Sequence, residues 1–492
     1  MKHKKPISVV LVTIVLLSAF PVSVAEYLLV EHSKADKKYA ANLQSGWVLY
    51  DAHEGVALPA PEPIDYVHMT YHNNVNLTSN LKSPDEDVMP TSSRWLNFVT
   101  DSKDNLAMKV PCYLKDILTN ISVENIGERR VQIEYYGTVC TLRCPNSEFI
   151  LPGVSGDALS RAWTMLCDGS YSNLLHDCLT IKENLQLCDW AYIQFLSQVS
   201  DEICGIGNEA AFLHAYLYAQ SGYQMRLGVT DKYSLQLLFT AREHLCERSF
   251  FSFSDGNYYL FNNLQCSLHI IPDLYYHGRP LSLKIQCDQR FSVNQVKAQK
   301  KIGKKGESVY MCFNGNLLSF LEDYPTCYEN SVEDYLKFYA QTPLGAEVEK
   351  QLYPILMDSI RNKTEFEAAG FLLNWIQTKF AYGYDSEIWG GERAFFPVET
   401  LYYPYSDCED RSILYSRLVR DLLDLDVLLL HVPGHAATAV HFSDDSSVSG
   451  SYLELEGKKF FICDPTITGA GAPIGKAMDC MMNQSISYVR LH

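Results

Sequence analysis

The sequence predicts an α+β fold in which a helix is followed by a run of short strands, and three observations carry that reading. In the stretch from Tyr405 to Thr466, Ile413, Leu414, Leu418, Val419, Leu422 and Leu423 recur every three to four positions, the period of an amphipathic helix. The period then changes: Val427–Leu430, His435–Phe442 and Lys459–Cys463 are short apolar runs bounded by Pro, Gly and Ser, which suits buried strands. Upstream, Gly207 to Phe239 repeats the order helix, strand, strand, and Asp255–Asn263 parallels Glu456–Asp464. The pattern is therefore expected twice.

The chain opens with MKHKKPISVVLVTIVLLSAFPVSVAEY: a basic start, an apolar run from Ile7 to Phe20 and Ser23-Val24-Ala25 as a small-residue cleavage site. Residues 1–25 read as a signal peptide cut near Ala25, because the run is shorter than the roughly 20 residues a spanning helix needs. An exported protein, in the periplasm, cell envelope or medium, is the expectation, with no membrane span in the mature chain. The net charge of −17 disfavours nucleic acid as a partner. Fifteen cysteines in an exported chain allow seven disulfides and one leftover thiol. Cys140 and Cys144 lack a second ligand pair, so no zinc site is expected.

Residues 26–130 are rich in Pro, Asn, Ser and Asp, with little periodicity and some β character. A strand is expected at Val131–Tyr136 and a helical block over Ala158–Val199, where Trp163, Leu166, Leu174, Leu175, Leu179, Trp190, Ile193, Phe195 and Leu196 keep helical spacing. Residues 131–275 form the first, degenerate copy. On simple alignment Asn208 stands opposite Cys408, Asn263 opposite Asp464, and Lys232 close to the place of His435; Leu187-Cys188-Asp189-Trp190 echoes Leu372-Leu373-Asn374-Trp375. Asn, Lys and Asn cannot form a nucleophile and base relay. Residues 276–345 read as a β-rich connector, from the alternation of Leu281, Leu283 and Ile285 and of Val309, Met311 and Phe313. Residues 346–492 form the second copy, with a helix over Thr364–Phe380 whose Thr364 and Glu367 have capping-box spacing. An aromatic, Gly-rich loop from Tyr382 to Pro404 has no counterpart in the first copy, which suits substrate contact.

The second copy carries the chemistry. Cys408 falls in the first turn of its helix, where unsatisfied N–H groups favour a thiolate and supply an oxyanion donor. Glu409 and Asp410 oppose that charge, so a cationic histidine is needed nearby. His431, His435 and His441 compete; His435 follows the Pro433-Gly434 break at the mouth of a strand, and His441 lies at its far end. Asp464 ends a strand just before Pro465 and can fix the tautomer of an imidazole. Cys408, His435 and Asp464 are thus the expected nucleophile, base and orienter. Taken singly each has an ordinary structural explanation, and the ordered set is what points to catalysis.

At these residues the chain resembles the transglutaminase-like superfamily, in its branch of bacterial transglutaminase-like cysteine peptidases. The matching features are Asp407-Cys408-Glu409-Asp410 at a helix start, Gly434-His435-Ala436-Ala437-Thr438-Ala439-Val440 on a strand, and Cys463-Asp464-Pro465-Thr466. The resemblance spans about residues 364–477. It implies a papain/transglutaminase-like core, a Cys-His-Asp triad of Cys408, His435 and Asp464, and a second oxyanion donor ahead of the cysteine, Gln377 or else Trp375. The chain departs from the family in having Ala436-Ala437 where an aromatic residue follows the histidine. The resulting expectation is an exported enzyme that acts on amide bonds of a protein or peptide through a thioester, hydrolysis slightly preferred over amine transfer, with no metal or organic cofactor. The alternative is a non-catalytic cell-envelope binding or assembly module that keeps the fold.

Overall fold

Two five-stranded antiparallel arrangements with the same strand order dominate the computed structural model of the protein. The structure describes residues 127–491 apart from 247, 264–266, 303–306, 330–333, 390–392, 447, 468–470 and 482–485, and the backbone of strands at 28–33, 36–43, 46–51 and 68–70. The expected signal peptide, residues 1–25, lies outside the described residues. A hairpin of Glu128–Tyr135 and Thr138–Pro145 packs on the helices Ser172–Asn184 and Asp189–Cys204, and these with Gly156–Leu166, which packs on the strand Leu268–Tyr276, occupy the expected helical block.

In the first half, helix α1 (Asn208–Gln220) is followed by β1 (Met225–Thr230), β2 (Leu235–Thr240), β3 (Phe250–Phe253), β4 (Gly256–Leu260) and β5 (Leu268–Tyr276). Their order across the sheet is β5-β1-β2-β4-β3, with His68–Thr70 added at the β3 edge. In the second half, helix α2 (Cys408–Leu423) precedes β6 (Val427–Val432), β7 (His435–His441), β8 (Tyr452–Leu455), β9 (Lys458–Cys463) and β10 (Ser487–Leu491). Their order is β10-β6-β7-β9-β8, strand for strand that of the first half. Every neighbouring pair in both sheets is antiparallel.

Local chemistry explains why α2 begins where it does. Asp407 is the N-cap, its carboxylate accepting from the Asp410 N–H while the Asp410 carboxylate accepts from the Asp407 N–H. That reciprocal capping satisfies two of the donors a helix start leaves open. Cys408 is therefore the first helical residue. The helix buries Ile413, Leu414, Leu418 and Val419 against the sheet, as their spacing predicts. Between β6 and β7 the turn is two residues long, with Val432 paired to His435 and Gly434 at φ +75°, a conformation that costs glycine little. His435 is consequently the first residue of β7.

Because strand residues alternate faces, Leu429, Ala436, Val440, Phe461 and Cys463 join the core under α2, while Leu428, Leu430, Ala437, Ala439, Phe460 and Ile462 form a separate cluster on the other face. One continuous apolar core runs from Val131 to Leu491 and includes the helix-covered faces of both sheets. Between the halves lie a hairpin, Gln295–Ile302 with Glu307–Asn314, and a helix, Gly315–Glu322, that the alternating pattern did not announce. The Thr364/Glu367 capping box forms on helix Glu365–Lys379. No helix among the described residues is long and apolar enough to cross a membrane.

Three sequence expectations need correction. No disulfide joins any two of the thirteen described cysteines, so the framework of seven disulfides does not appear among them and Cys408 is not set apart as a leftover. The Leu187–Trp190 echo of Leu372–Trp375 is not a structural equivalence: Asp189 and Trp190 open their helix, whereas Asn374 and Trp375 lie in the last turns of theirs. The alignment of the two halves also shifts by one or two residues. Thr438 pairs with Cys463 across β7 and β9, and the matching contact in the first half is Leu237 with Phe261. Ser234, not Lys232, therefore stands in the place of His435, and Asn262, not Asn263, in that of Asp464. A turn longer by one residue before β2, and a stretch from the start of α1 to the end of β1 shorter by two, hid this register from simple counting.

Candidate active site

The three residues singled out by the sequence come from three elements: Cys408 from the start of α2, His435 from the start of β7 and Asp464 from the residue after β9. All are buried. His435 Nε2 lies 2.8 Å from Asp464 Oδ2, a contact across 29 residues of chain. The other carboxylate oxygen, Oδ1, accepts from the Thr466 N–H at 3.0 Å and the Thr466 hydroxyl at 2.5 Å. With Asp464 fixed at both oxygens, His435 is held through Nε2, which leaves Nδ1 as the ring nitrogen for proton transfer.

The thiol of Cys408 accepts a hydrogen bond from the Ala436 N–H, the residue next to His435 on β7. It donates its own proton to Glu409 Oε2 at 2.8 Å, and Glu409 Oε1 accepts from the Tyr335 hydroxyl at 3.3 Å. Burial raises the thiol pKa most, the Glu409 and Asp407 carboxylates raise it further, and the Ala436 N–H works against them. The resting sulfur is thus a thiol held by a carboxylate, and a base is needed to make it a nucleophile. His431 on β6 pairs with Ala436, and His441 Nδ1 donates to the Lys459 carbonyl at 3.0 Å at the far end of β7. Of the three candidate histidines, the structure sets His435 against Asp464.

The structure places Gln377 differently from the oxyanion expectation. Its Nε2 donates to the Asp464 carbonyl at 2.8 Å and to the Ala472 carbonyl at 3.3 Å, and its Oε1 accepts from the Ala472 N–H at 3.0 Å. A primary amide has two N–H donors, and both are engaged. Gln377 therefore clamps the loop that carries Asp464. Trp375 is committed as well, its indole N–H donating to the Lys301 carbonyl. The donor shown at the sulfur is a backbone N–H, that of Ala436.

Around the helix start lies a second layer that sequence reading only partly anticipated. Asp385, Asp407 and Asp410 are buried with carboxylate oxygens within 4.8 Å of one another, and burial together with their mutual repulsion raises the pKa of Asp407 and Asp410. Backbone donors account for much of this group: Arg393 N–H to Asp385, and Phe395 N–H to Asp410 at 2.8 Å. The second bond fixes the aromatic loop to α2, the first ties the loop to itself, and a cavity of about 280 Å³ opens beside it, lined by Tyr324, Tyr339, Trp389, Arg393 and Phe396. Nothing beyond proximity marks the three aspartates as a cation site. Arg411, three residues after Cys408, is fully buried in the same layer; its i, i+3 spacing was the signal available in the sequence.

The first half has the same frame with different side chains. Asn208, the first residue of α1, accepts from the Leu235 N–H at 2.8 Å as Cys408 accepts from the Ala436 N–H, and its Nδ2 donates to the Tyr233 carbonyl. Asn262 donates to Gln236. Neither a thiol nor an imidazole occupies these positions. No family model matches the chain, and no match was found among curated proteins or solved structures.

Proposed function

We propose that the protein is a thiol-dependent enzyme acting on amide bonds, built on a papain/transglutaminase-like core that occurs twice, with only the second copy armed. The observation that carries this reading is the buried His435–Asp464 pair, with the residue next to His435, Ala436, donating its N–H to a thiol at a helix N-terminus. In the reaction, His435 Nδ1 takes the Cys408 proton as sulfur attacks a glutamine or peptide carbonyl carbon. The resulting oxyanion is met by backbone N–H groups at the helix start. Collapse breaks the C–N bond, the imidazolium returns its proton to the leaving ammonia or amine, and a thioester remains. Water, deprotonated by the same imidazole, releases the acid; an amine in its place gives transfer. Hydrolysis is the preferred outcome, because nothing in the sequence marks a lysine-binding tunnel.

A protein or peptide substrate and an exported location belong to the same proposal. Asn208, Ser234 and Asn262 make the first copy a scaffold or a substrate-binding half. The competing reading, a non-catalytic envelope module, predicts no activity that depends on Cys408. Amidase and crosslinking assays of the native protein and of Cys408→Ala decide between them. Activity lost in the variant supports the enzyme. No activity in the native protein, or an activity that survives the substitution, rejects it.

A further inference from the structure

Arg411 is a buried cation one helical turn from the candidate nucleophile, and the reaction above does not use it. Its Nε donates to Ser406 Oγ at 3.2 Å, its Nη2 to the Phe380 carbonyl at 2.7 Å and its Nη1 to the Pro465 carbonyl at 3.4 Å, while the guanidinium sits 5.1 Å from the Tyr382 ring centre. All four partners are neutral. Arg393 and Arg417, by contrast, rest directly on Glu399 and Asp421. A fully enclosed cation without a carboxylate against it is costly to bury, and that cost falls when a negative charge forms close by. Cys408 lies one helical turn away on the same face of α2.

We propose that Arg411 is the fixed counter-charge of the Cys408 thiolate and, through Pro465, a positioning residue for Asp464. The inference rests on the reading of Cys408 as a nucleophile. The groups that face or influence the thiol are Asp407 and Glu409 on its own helix, Tyr335 on the helix Tyr335–Gln341, Tyr382 on the aromatic loop, and the Ala436 N–H with His435 on β7. The carboxylates all disfavour a thiolate; against them stand the Ala436 dipole, the imidazolium when it forms, and Arg411. Burial lowers the pKa of Arg411, while Tyr382, Asp410, Asp407 and Cys408 act to raise it, and the guanidinium stays charged through neutral pH. The same side chain joins the end of helix Glu365–Lys379, the residue two before the helix start and the residue after Asp464, so it also sets the separation of nucleophile and orienter.

The test is the pH dependence of Cys408 alkylation by iodoacetamide, followed by peptide mapping, in the full chain and in R411M, R411Q and R411K. R411Q keeps hydrogen-bonding capacity at the site and loses only the charge. All variants are measured in an osmolyte that favours the compact state, with circular dichroism to confirm folding. The expected result is a midpoint raised by about one pH unit or more in R411M and R411Q, equivalent to at least roughly tenfold less thiolate at neutral pH, and near the parent value in R411K. R411K retains the charge without the planar fork, so its amide turnover falls while its midpoint holds. A folded R411M or R411Q with an unmoved midpoint overturns the inference. Amide turnover that survives Cys408→Ala overturns the enzyme reading itself, a different result from an unmoved midpoint in the variants.

Discussion

Replacing Glu409 by glutamine is expected to make Cys408 more reactive, although Glu409 is its hydrogen-bond partner. In the structure the thiol donates to Glu409 Oε2 at 2.8 Å, a bond that favours the neutral thiol. Once the proton leaves, sulfur and carboxylate are like charges in close contact. At an effective dielectric constant near 20, two unit charges about 4 Å apart repel by about 4 kcal/mol. Glu409 is half-buried, and water on its open side screens roughly half of that, leaving about 2 kcal/mol, or about 1.5 pH units. Removing the charge therefore lowers the thiol pKa, and a glutamine N–H can donate to the thiolate, which acts in the same direction. The assay is the second-order rate of alkylation at Cys408 from pH 5 to 9, resolved from the other thiols by peptide mapping. The E409Q curve should sit at lower pH than the parent curve, with the rate at pH 7 about 10- to 30-fold higher. An E409Q protein that is folded and alkylated no faster than the parent would refute the electrostatic account of this site.

Asp464→Asn keeps a side chain of the same size but removes the charge that holds His435 and stabilises imidazolium; amide turnover should fall by about 10² or more with little change in melting temperature, and near-parent turnover would exclude Asp464 as orienter. Gln377→Ala strips partners from the Asp464 and Ala472 backbone, so unfolding by urea should show a loss of about 2–3 kcal/mol. If Gln377 were instead an oxyanion donor, the variant would lose turnover at unchanged stability. In the first half, Asn208→Ala should cost about 1–2 kcal/mol in the same assay, because it leaves the Leu235 N–H and the Tyr233 carbonyl without their partner, and it should leave Cys408 alkylation unchanged.

The candidate site was legible in the sequence to the extent that it was built from local signals. Asp407 and Asp410 cap the helix three residues apart, which places Cys408 at its start, and Pro433-Gly434 turns the chain so that His435 opens β7. Each of those relations is made within a few residues. Gln377 shows where such reading stops: its position on a helix ahead of the cysteine suited an oxyanion donor, yet its partners are 87 and 95 residues away, and nothing in the local sequence reports them. The register of the first half failed for a related reason. Equal spacing was assumed, whereas the turn between β1 and β2 is longer than that between β6 and β7, and only strand pairing shows which residues correspond.

By itself, then, the sequence determined the helix that starts at Cys408, the strands that follow it, and the recurrence of that order in the first half, because periodicity, capping and turn chemistry act over one to four residues. Tertiary structure alone decided that Asp464 holds His435, that Gln377 holds Asp464, that Arg411 is enclosed among neutral partners, and that the thiol meets Ala436 on one side and Glu409 on the other. These relations depend on burial and on side-chain contacts between distant segments. They come into being only when the sheet packs against the helix and water leaves the space between them.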